Sequence, residues 1–218
     1  MKQFIIPCMI SGEVWPMNGF EKRKERKKRS ILDASLFLFS EYGVQKVSIQ
    51  EIAAKAQVSQ VTIYNYFGGK DELVFETIKK FFYERFEQFR LIVRNPDRSF
   101  KDKINHVILE KKENILHMDP GFLQTVLTDH PGIQEFVQSF TQNESIPLLM
   151  ELIEQGKKEG DVHPDISFRS VLFFINAFYQ ALQSADHLFD ESITAFTEEI
   201  THMFFYGLAG DQNQRINQ

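Results

Sequence analysis

Apolar residues recur at intervals of three to four positions along almost the whole chain, which is the spacing of one face of an α-helix. No Asn-Gly-type turn separates two runs of alternating apolar and polar residues, which is the pattern of a β-hairpin. The sequence therefore predicts an all-α fold. With 218 residues, 43% of them hydrophobic, the chain is long enough to bury a core in one or two domains.

Three helices are predicted in the first third of the chain. The first spans about 22–42 and ends at Gly43. Ser48 and Glu51 stand at the spacing of a capping box that opens a second helix, and Ser59 is placed to cap a third. Two short helices joined by a tight turn form a helix-turn-helix. The residues expected to face the core are Ile31, Ala34, Leu38, Tyr42, Ile49, Ile52, Ala53, Ala56, Val58, Ile63 and Phe67.

Longer helices follow. A fourth is predicted over about 71–93, because Pro96 prevents its continuation. Ser99, with Asp102 three residues later, is placed to cap a fifth. The fifth and remaining helices are predicted over about 100–118, after Pro120, and over about 131–160, 167–187 and 190–206.

Charge is divided unevenly along the chain. Residues 1–68 carry ten lysines and arginines against six acidic residues, a balance of +4, whereas residues 69–218 carry fifteen against twenty-four, a balance of -9. Such asymmetry indicates a basic end that meets a polyanion and an acidic body that stays away from it. The run EKRKERKKRS over 21–30 has seven basic residues. It favours phosphate attraction, or simply forms a solvated helix start.

Composition argues against other classes of protein. The single cysteine, Cys8, permits no internal disulfide and fits a reducing cytoplasm. No run approaches the roughly eighteen apolar residues of a membrane span. His106 and His117 are eleven residues apart, which is a weak spacing for a shared metal. We therefore expect no cofactor, no metal and no enzymatic activity. We also hypothesise that translation begins at Met17, because Ser11-Gly12-Glu13 can be encoded by a purine-rich ribosome-binding sequence.

The third helix presents side chains suited to reading DNA. With Ile63 and Phe67 turned inward, the residues left on its other faces are Gln60, Val61, Tyr64 and Asn65. Glutamine can pair with an adenine edge, valine can contact a thymine methyl, and hydroxyls and amides can bond phosphate oxygens. Lys70 follows two glycines at the start of the fourth helix, where backbone N–H groups favour an anion.

The stretch over 29–73 resembles the DNA-binding domain of the TetR/AcrR family of bacterial transcriptional regulators. The resemblance is carried by Ile31-Leu32, Ala34, Phe39, Tyr42-Gly43, Ser48, Ile52-Ala53, Val58-Ser59, Thr62-Ile63-Tyr64, Tyr66-Phe67, Lys70 and Glu72-Leu73. GKKEGDVHPDIS, over 156–167, is similar to the turn before the family's dimerisation helices. The resemblance implies an extension over 1–20, a helix-turn-helix DNA-binding domain over 21–70, and an effector-binding and dimerisation domain over 71–218.

The resemblance also implies individual contacts with DNA. The implied positions are Ser48 and Lys70 for phosphate, Gln60 and Val61 for bases, Thr62, Tyr64 and Tyr66 for phosphate, and Asn65 for phosphate or base. Two positions depart from the family's pattern. Gln57 stands where a glycine is common in the turn, so a left-handed conformation there would be strained. Val61 replaces a usually smaller residue, which puts its own base contact in question.

The carboxy-terminal helices are expected to form a homodimer. The helix within 167–187 is apolar nearly all round and therefore needs two partners. One partner would be its own chain and the other a second copy, with an interface that includes Phe174, Phe178, Ile200 and Phe204. Many of the 22 phenylalanines either fill this core or surround an apolar effector. Asn176 and Gln180, four residues apart among aromatics, would orient that effector or pair across the dimer.

The predicted function is that of a homodimeric repressor that binds a palindromic operator and is released by a small, largely apolar molecule. The alternative is a helical ligand-binding or protein-interaction module without operator-specific DNA binding. DNA binding and its salt dependence discriminate between the two.

Overall fold

The computed structural model describes residues 19–115 and 130–184, together with the helical positions Glu199 and Met203. Regular structure within these residues is entirely helical, which confirms the all-α prediction. The helices predicted after Pro120 and over 190–206 lie outside the described residues apart from those two positions, as does the proposed start at Met17. The helices are α1 (Gly19–Tyr42), α2 (Ile49–Lys55), α3 (Gln60–Phe67), α4 (Lys70–Val93), α5 (Phe100–Ile115), α6 (Pro131–Phe140), α7 (Ile146–Glu159) and α8 (Phe168–Ser184).

The predicted caps of the first helices are present. Ser48 Oγ accepts from the backbone N–H of Glu51 at 3.2 Å, and the Ser48 N–H donates to Glu51 Oε2 at 2.7 Å. Ser59 Oγ accepts from the Thr62 N–H at 3.1 Å. Gly43 ends α1 with a φ of 79°. These hydrogen bonds satisfy N–H groups that a helix start leaves unpaired.

Most of the predicted inward residues of α1, α2 and α3, here called the head, are buried. The expectation for Tyr42 is wrong, because its side chain is 56% exposed. Tyr42 lies on the predicted face at the last position of α1, beyond the edge of the core. Gly43 then reverses the chain, and Val44, at 7% exposure, occupies the buried position instead. Phe39, one turn earlier, is fully buried.

The core of the head continues into α4 and α6. Leu73, Val74 and Ile78 of α4 and Ile133 of α6 are buried in the same cluster as the apolar residues of α1, α2 and α3. Lys28 of α1 donates to Glu76 of α4 at 3.0 Å along the edge of this cluster. The three head helices therefore rest directly on the first half of α4.

A second core lies at the far end of α4. It joins Val93 to α5, α7 and the segment that leads into α8, with Phe100, Leu152, Val162 and Val171 all buried. Burial of such side chains contributes about 1.5–3 kcal/mol each. Helix α4 thus runs from the head at Lys70 to this second core at Val93.

The single helix predicted over 131–160 is interrupted by a π-helical turn, Thr141–Ser145, between α6 and α7. Pro147 explains the interruption: proline has no N–H to donate, and its ring crowds the carbonyl of Asn143. A widened turn relieves that clash without ending the helix. Gly160, in the left-handed conformation at φ 80°, ends α7 as predicted.

Candidate nucleic-acid interface

Helix α3 buries one face and exposes the residues expected to read DNA. Ile63 is fully buried and Phe67 nearly so, which fixes the orientation of the helix. On the opposite side Val61 is 65% exposed and Tyr64 is 50% exposed. Gln60 and Asn65 are exposed beside them. The face predicted to be free of the core is therefore free of it among the described residues.

Two hydroxyls at the start of α3 lie close together. Ser59 Oγ and Thr62 Oγ1 are 2.9 Å apart, and either can donate. Ser59 Oγ already accepts from the Thr62 N–H. When Ser59 donates to Thr62, the Thr62 proton is left to donate outward. The cap of α3 thus leaves a hydroxyl donor at its edge, which is what a phosphate contact requires.

At the start of α2, the Glu51 carboxylate accepts hydrogen bonds from both the backbone N–H and the hydroxyl of Ser48. The Ser48 hydroxyl donates to Glu51 Oε2 at 2.7 Å, beside the backbone N–H bond to the same oxygen. The hydrogen bond from the Ser48 backbone N–H contributes most to lowering the pKa of Glu51, and the bond from the Ser48 hydroxyl lowers it further. The charge of Lys70 acts in the same direction. A phosphate contact by Ser48 therefore requires its hydroxyl to exchange partners, and that contact stays a prediction.

Lys70 is the first residue of α4, one position earlier than the sequence predicted. The preceding Gly69 provides no side-chain cap, so the first N–H groups of α4 lack that partner. Lys70 also lies near enough to Glu51 to act on its carboxyl charge. The starts of α2 and α4 therefore lie near each other, and a helix start with an adjacent lysine is a natural site for a phosphate.

A family model described as "Bacterial regulatory proteins, tetR family" matches residues 31–77, which span the helix-turn-helix and the first turns of α4. Residues 31–77 therefore form a DNA-binding domain of the TetR type. The regulator HbdR of Aromatoleum sp. (strain CIB) is 43% identical over 58 residues, which are 27% of this chain and 25% of that protein. The repressor KstR2 of Rhodococcus jostii (strain RHA1) is 22% identical over 166 residues, covering 70% of this chain and 76% of that one.

The fold beyond the head also matches solved structures. A putative transcriptional regulator from Saccharomonospora viridis, solved in complex with choline, superposes with a TM-score of 0.62 at 17% identity. The match covers 83% of this chain and 95% of that one. The helical arrangement is therefore shared well beyond the matched residues 31–77.

One departure from the TetR-family pattern is visible in the backbone. Gln57, in the turn between α2 and α3, has a φ of 56°. This is the left-handed conformation predicted from the common glycine at that position, and it costs a residue with a Cβ about 1–2 kcal/mol. The chain therefore keeps the family's turn geometry although it lacks the glycine.

A groove beside α3 was not predicted from the sequence. It lies between the first turns of α1 and the end of α3 and has a volume of about 420 Å³. Tyr66, which is half-buried and packs on the head core, forms part of its wall. The residues that line the groove are Phe20, Arg23, Lys24, Lys27, Asn65 and Tyr66. The spacing of the three cations along α1 was the available signal.

The predicted effector and interface residues are described only in part. On α8, Phe174 is 45% exposed and its neighbour Phe173 is 74% exposed. Asn176 is exposed too. The side chains of Phe178 and Gln180, and residues Ile200 and Phe204, lie outside what the structure describes. Within the described part of the chain, no three His, Cys, Asp or Glu residues could hold a metal ion, and no helix is long and apolar enough to cross a membrane.

Proposed function

We propose that this TetR-family protein is a cytoplasmic homodimeric repressor that binds a two-fold symmetric operator and is released by a small, largely apolar molecule. The observation that carries the proposal is the exposed face of α3, on which the side chains of Val61 and Tyr64 are 65% and 50% exposed. Such a face has no role in the described core and has the chemistry of a DNA groove.

We assign each exposed side chain on α3 to a contact with a DNA base or a phosphate. Gln60 forms a bidentate pair with an adenine edge, and Val61 touches a thymine methyl. Tyr64 and Asn65 bond phosphate oxygens, or in the case of Asn65 a base. Lys70 and the first N–H groups of α4 hold a further phosphate. Thr62, Tyr66 and Ser48 are assigned to phosphates on the same surface.

Dimerisation through α8 would place two heads on one duplex. Phe173 and Phe174 expose large apolar rings on this helix. Exposed apolar rings of this kind favour contact with another protein surface over contact with water. A second copy using the same face gives an isologous interface, to which we also assign Phe178, Ile200 and Phe204. Two α3 helices about 34 Å apart would then read two half-sites one DNA turn apart.

A cluster of aromatic rings between α4 and α6 is a suitable place for an effector to act. Phe82, Tyr83 and Phe86 of α4 surround Phe140 of α6. The Tyr83 and Phe140 ring centroids are 5.0 Å apart, edge to face. Because α4 also carries Lys70, a molecule that changes this packing would move a phosphate contact. The effector can release the protein from DNA only if it binds the changed packing of α4 and α6 more tightly than the packing of the DNA-bound protein.

Support for a small-molecule effector also comes from the S. viridis neighbour, which was solved with choline. Asn176 and Gln180 are assigned to orient the effector of this chain. Leucine at both positions should weaken effector binding, and unaltered affinity would assign them elsewhere.

The proposal is tested by fluorescence anisotropy with duplex DNA flanking the protein's own gene and with a scrambled duplex, across a salt series. Tight binding that prefers the flanking DNA and weakens with salt supports a regulator. Equal, weak binding to both duplexes and to a random-sequence pool would assign the chain to the class of helical modules that do not read DNA. Sedimentation of the free protein as a monomer would contradict the dimer.

A further inference from the structure

The basic residues of α1 fall into two groups. Lys28 and Arg29, the last two of the run, pair with Glu76 and Glu84 of α4 at 3.0 Å and 3.1 Å. They fasten α1 to α4 and are partly neutralised. Five earlier cations form no ion pair with any described residue: Lys22, Arg23, Lys24, Arg26 and Lys27.

Three of these five cations converge on the groove between α1 and α3. Arg23, Lys24 and Lys27 line it, together with Asn65 and Tyr66 of α3 and Phe20 of α1. None of the lining residues is acidic. Like charges at helical spacing repel one another, so three cations on one wall without a carboxylate opposite them favour an anion in the groove.

The other two cations point elsewhere. At 3.6 residues per turn, positions 23, 24 and 27 share one face of α1, whereas Lys22 and Arg26 lie more than about 100° around the helix axis from the centre of that face. Neither Lys22 nor Arg26 lines the groove. The chain thus contains two basic pairs of the same composition, Arg23 with Lys27 and Lys22 with Arg26, on different faces of one helix.

We propose that this groove binds the sugar–phosphate backbone of DNA next to the bases that α3 reads. The inference rests on the proposed function and extends it to a segment outside the helix-turn-helix. Asn65 and Tyr66 follow Tyr64 directly on α3, so the groove is continuous with the reading face. The cations suit phosphates, and the rings of Phe20, which is 64% exposed, and Tyr66 suit the apolar faces of deoxyribose.

The test compares two charge-matched double variants of the full chain, Arg23→Ala/Lys27→Ala and Lys22→Ala/Arg26→Ala. Each removes one arginine and one lysine from exposed helical positions, where alanine is a good helix former. The duplex is first selected from a random-sequence pool by the wild-type protein. Its Kd is then measured for all three proteins between about 50 and 200 mM salt. Circular dichroism melts check that both variants are folded.

The groove variant is expected to bind the selected duplex at least roughly tenfold more weakly at low salt, with a salt slope reduced by about 2 per head. The other variant is expected to show less than half of either effect. Equal losses in the two variants, with wild-type binding intact, would overturn the groove and leave the regulator standing. Failure of the wild type to select any duplex would remove the proposed function and the groove with it.

Discussion

The ammonium of Lys103 on α5 donates to the carbonyl of Val93, the last residue of α4, at 2.7 Å in the buried second core. The same ammonium donates to Gln155 Oε1 of α7 at 2.6 Å. Burial lowers the pKa of Lys103, and the charge of Glu159 opposes that shift. One side chain therefore holds the end of α4 against two neighbouring helices.

Replacing Lys103 with methionine should destabilise the fold by about 1–3 kcal/mol, because the Val93 carbonyl and the Gln155 amide oxygen lose a buried donor. Urea unfolding measures the change. Lys101→Met is the matched control: Lys101 pairs with Asp161 at 3.0 Å but is 68% exposed, and such pairs contribute about 0–1 kcal/mol. If both variants unfold at the same urea concentration, Lys103 has no special structural role.

Alanine at Gly156 should destabilise the protein although it raises helix propensity. An added Cβ would lie 2.6 Å from Val162 Cγ2 and 2.9 Å from the ring of Phe100. Overpacking of this kind costs typically about 1–3 kcal/mol, which exceeds the propensity gain of about 1 kcal/mol. Gly132→Ala in α6 is the control, since an added Cβ there meets nothing within 4 Å. We expect a lower melting temperature for the first variant and an equal or higher one for the second.

Replacing Gln57 with glycine should remove the backbone strain of the left-handed turn at this position. Gln57→Gly and Gln57→Ala both remove the exposed side chain, but only alanine keeps the Cβ that strains a residue at φ 56°. The glycine variant should therefore be the more stable of the two, by up to about 1 kcal/mol, since glycine also gains entropy in the unfolded chain. An alanine variant as stable as the glycine variant would mean that the turn relaxes.

Acid should weaken the contact between α1 and α4. Burial alone would raise the pKa of Glu76, but the hydrogen bond and charge of Lys28, with those of Lys79, outweigh it and lower the pKa below 4.5. A carboxyl with a lowered pKa in the fold contributes stability above its unfolded pKa, and this is lost as pH falls through the folded pKa.

The unfolding free energy of Glu76→Gln should thus fall less steeply than that of the wild type as the pH drops below about 4.5. Lys28→Met, which removes the partner, should flatten the curve in the same direction. Chemical denaturation from pH 6 to pH 3, about the range in which carboxyls titrate, measures both slopes. Parallel curves for wild type and Glu76→Gln would show that the pair does not contribute.

Features set by neighbouring residues were predictable from the sequence. The capping box of Ser48 and Glu51 and the cap at Ser59 close over three residues, so the residue types alone specify the hydrogen bonds. The exposed face of α3 followed from the spacing of Ile63 and Phe67. Because the helix-turn-helix consists of such local signals, the candidate site was largely predictable.

Features set by distant residues were not predictable. Lys103 resembles any surface lysine in the sequence, and its partners lie 10 and 52 positions away. Tyr42 lies on the same face of α1 as the buried residues, but it is exposed because the core ends before it. Where a core ends depends on the packing of other helices. The groove at Arg23 needed the position of α3 against α1. Pro147 was a local signal for the π-helical turn at Thr141–Ser145. Whether a proline ends a helix or only widens one turn, however, depends on the contacts that hold the helical segments on either side of it.

Base reading by α3 is tested by the ratio of Kd values for scrambled and gene-flanking duplexes, measured for the wild type, Gln60→Ala and Lys70→Ala. If α3 reads bases while Lys70 holds a phosphate, Gln60→Ala should lower the ratio by a factor that corresponds to about 1–3 kcal/mol of binding free energy. Lys70→Ala should weaken both duplexes alike and reduce the salt slope by about 1 per head. A wild-type ratio near unity on these duplexes and on DNA selected from a random pool would contradict the account.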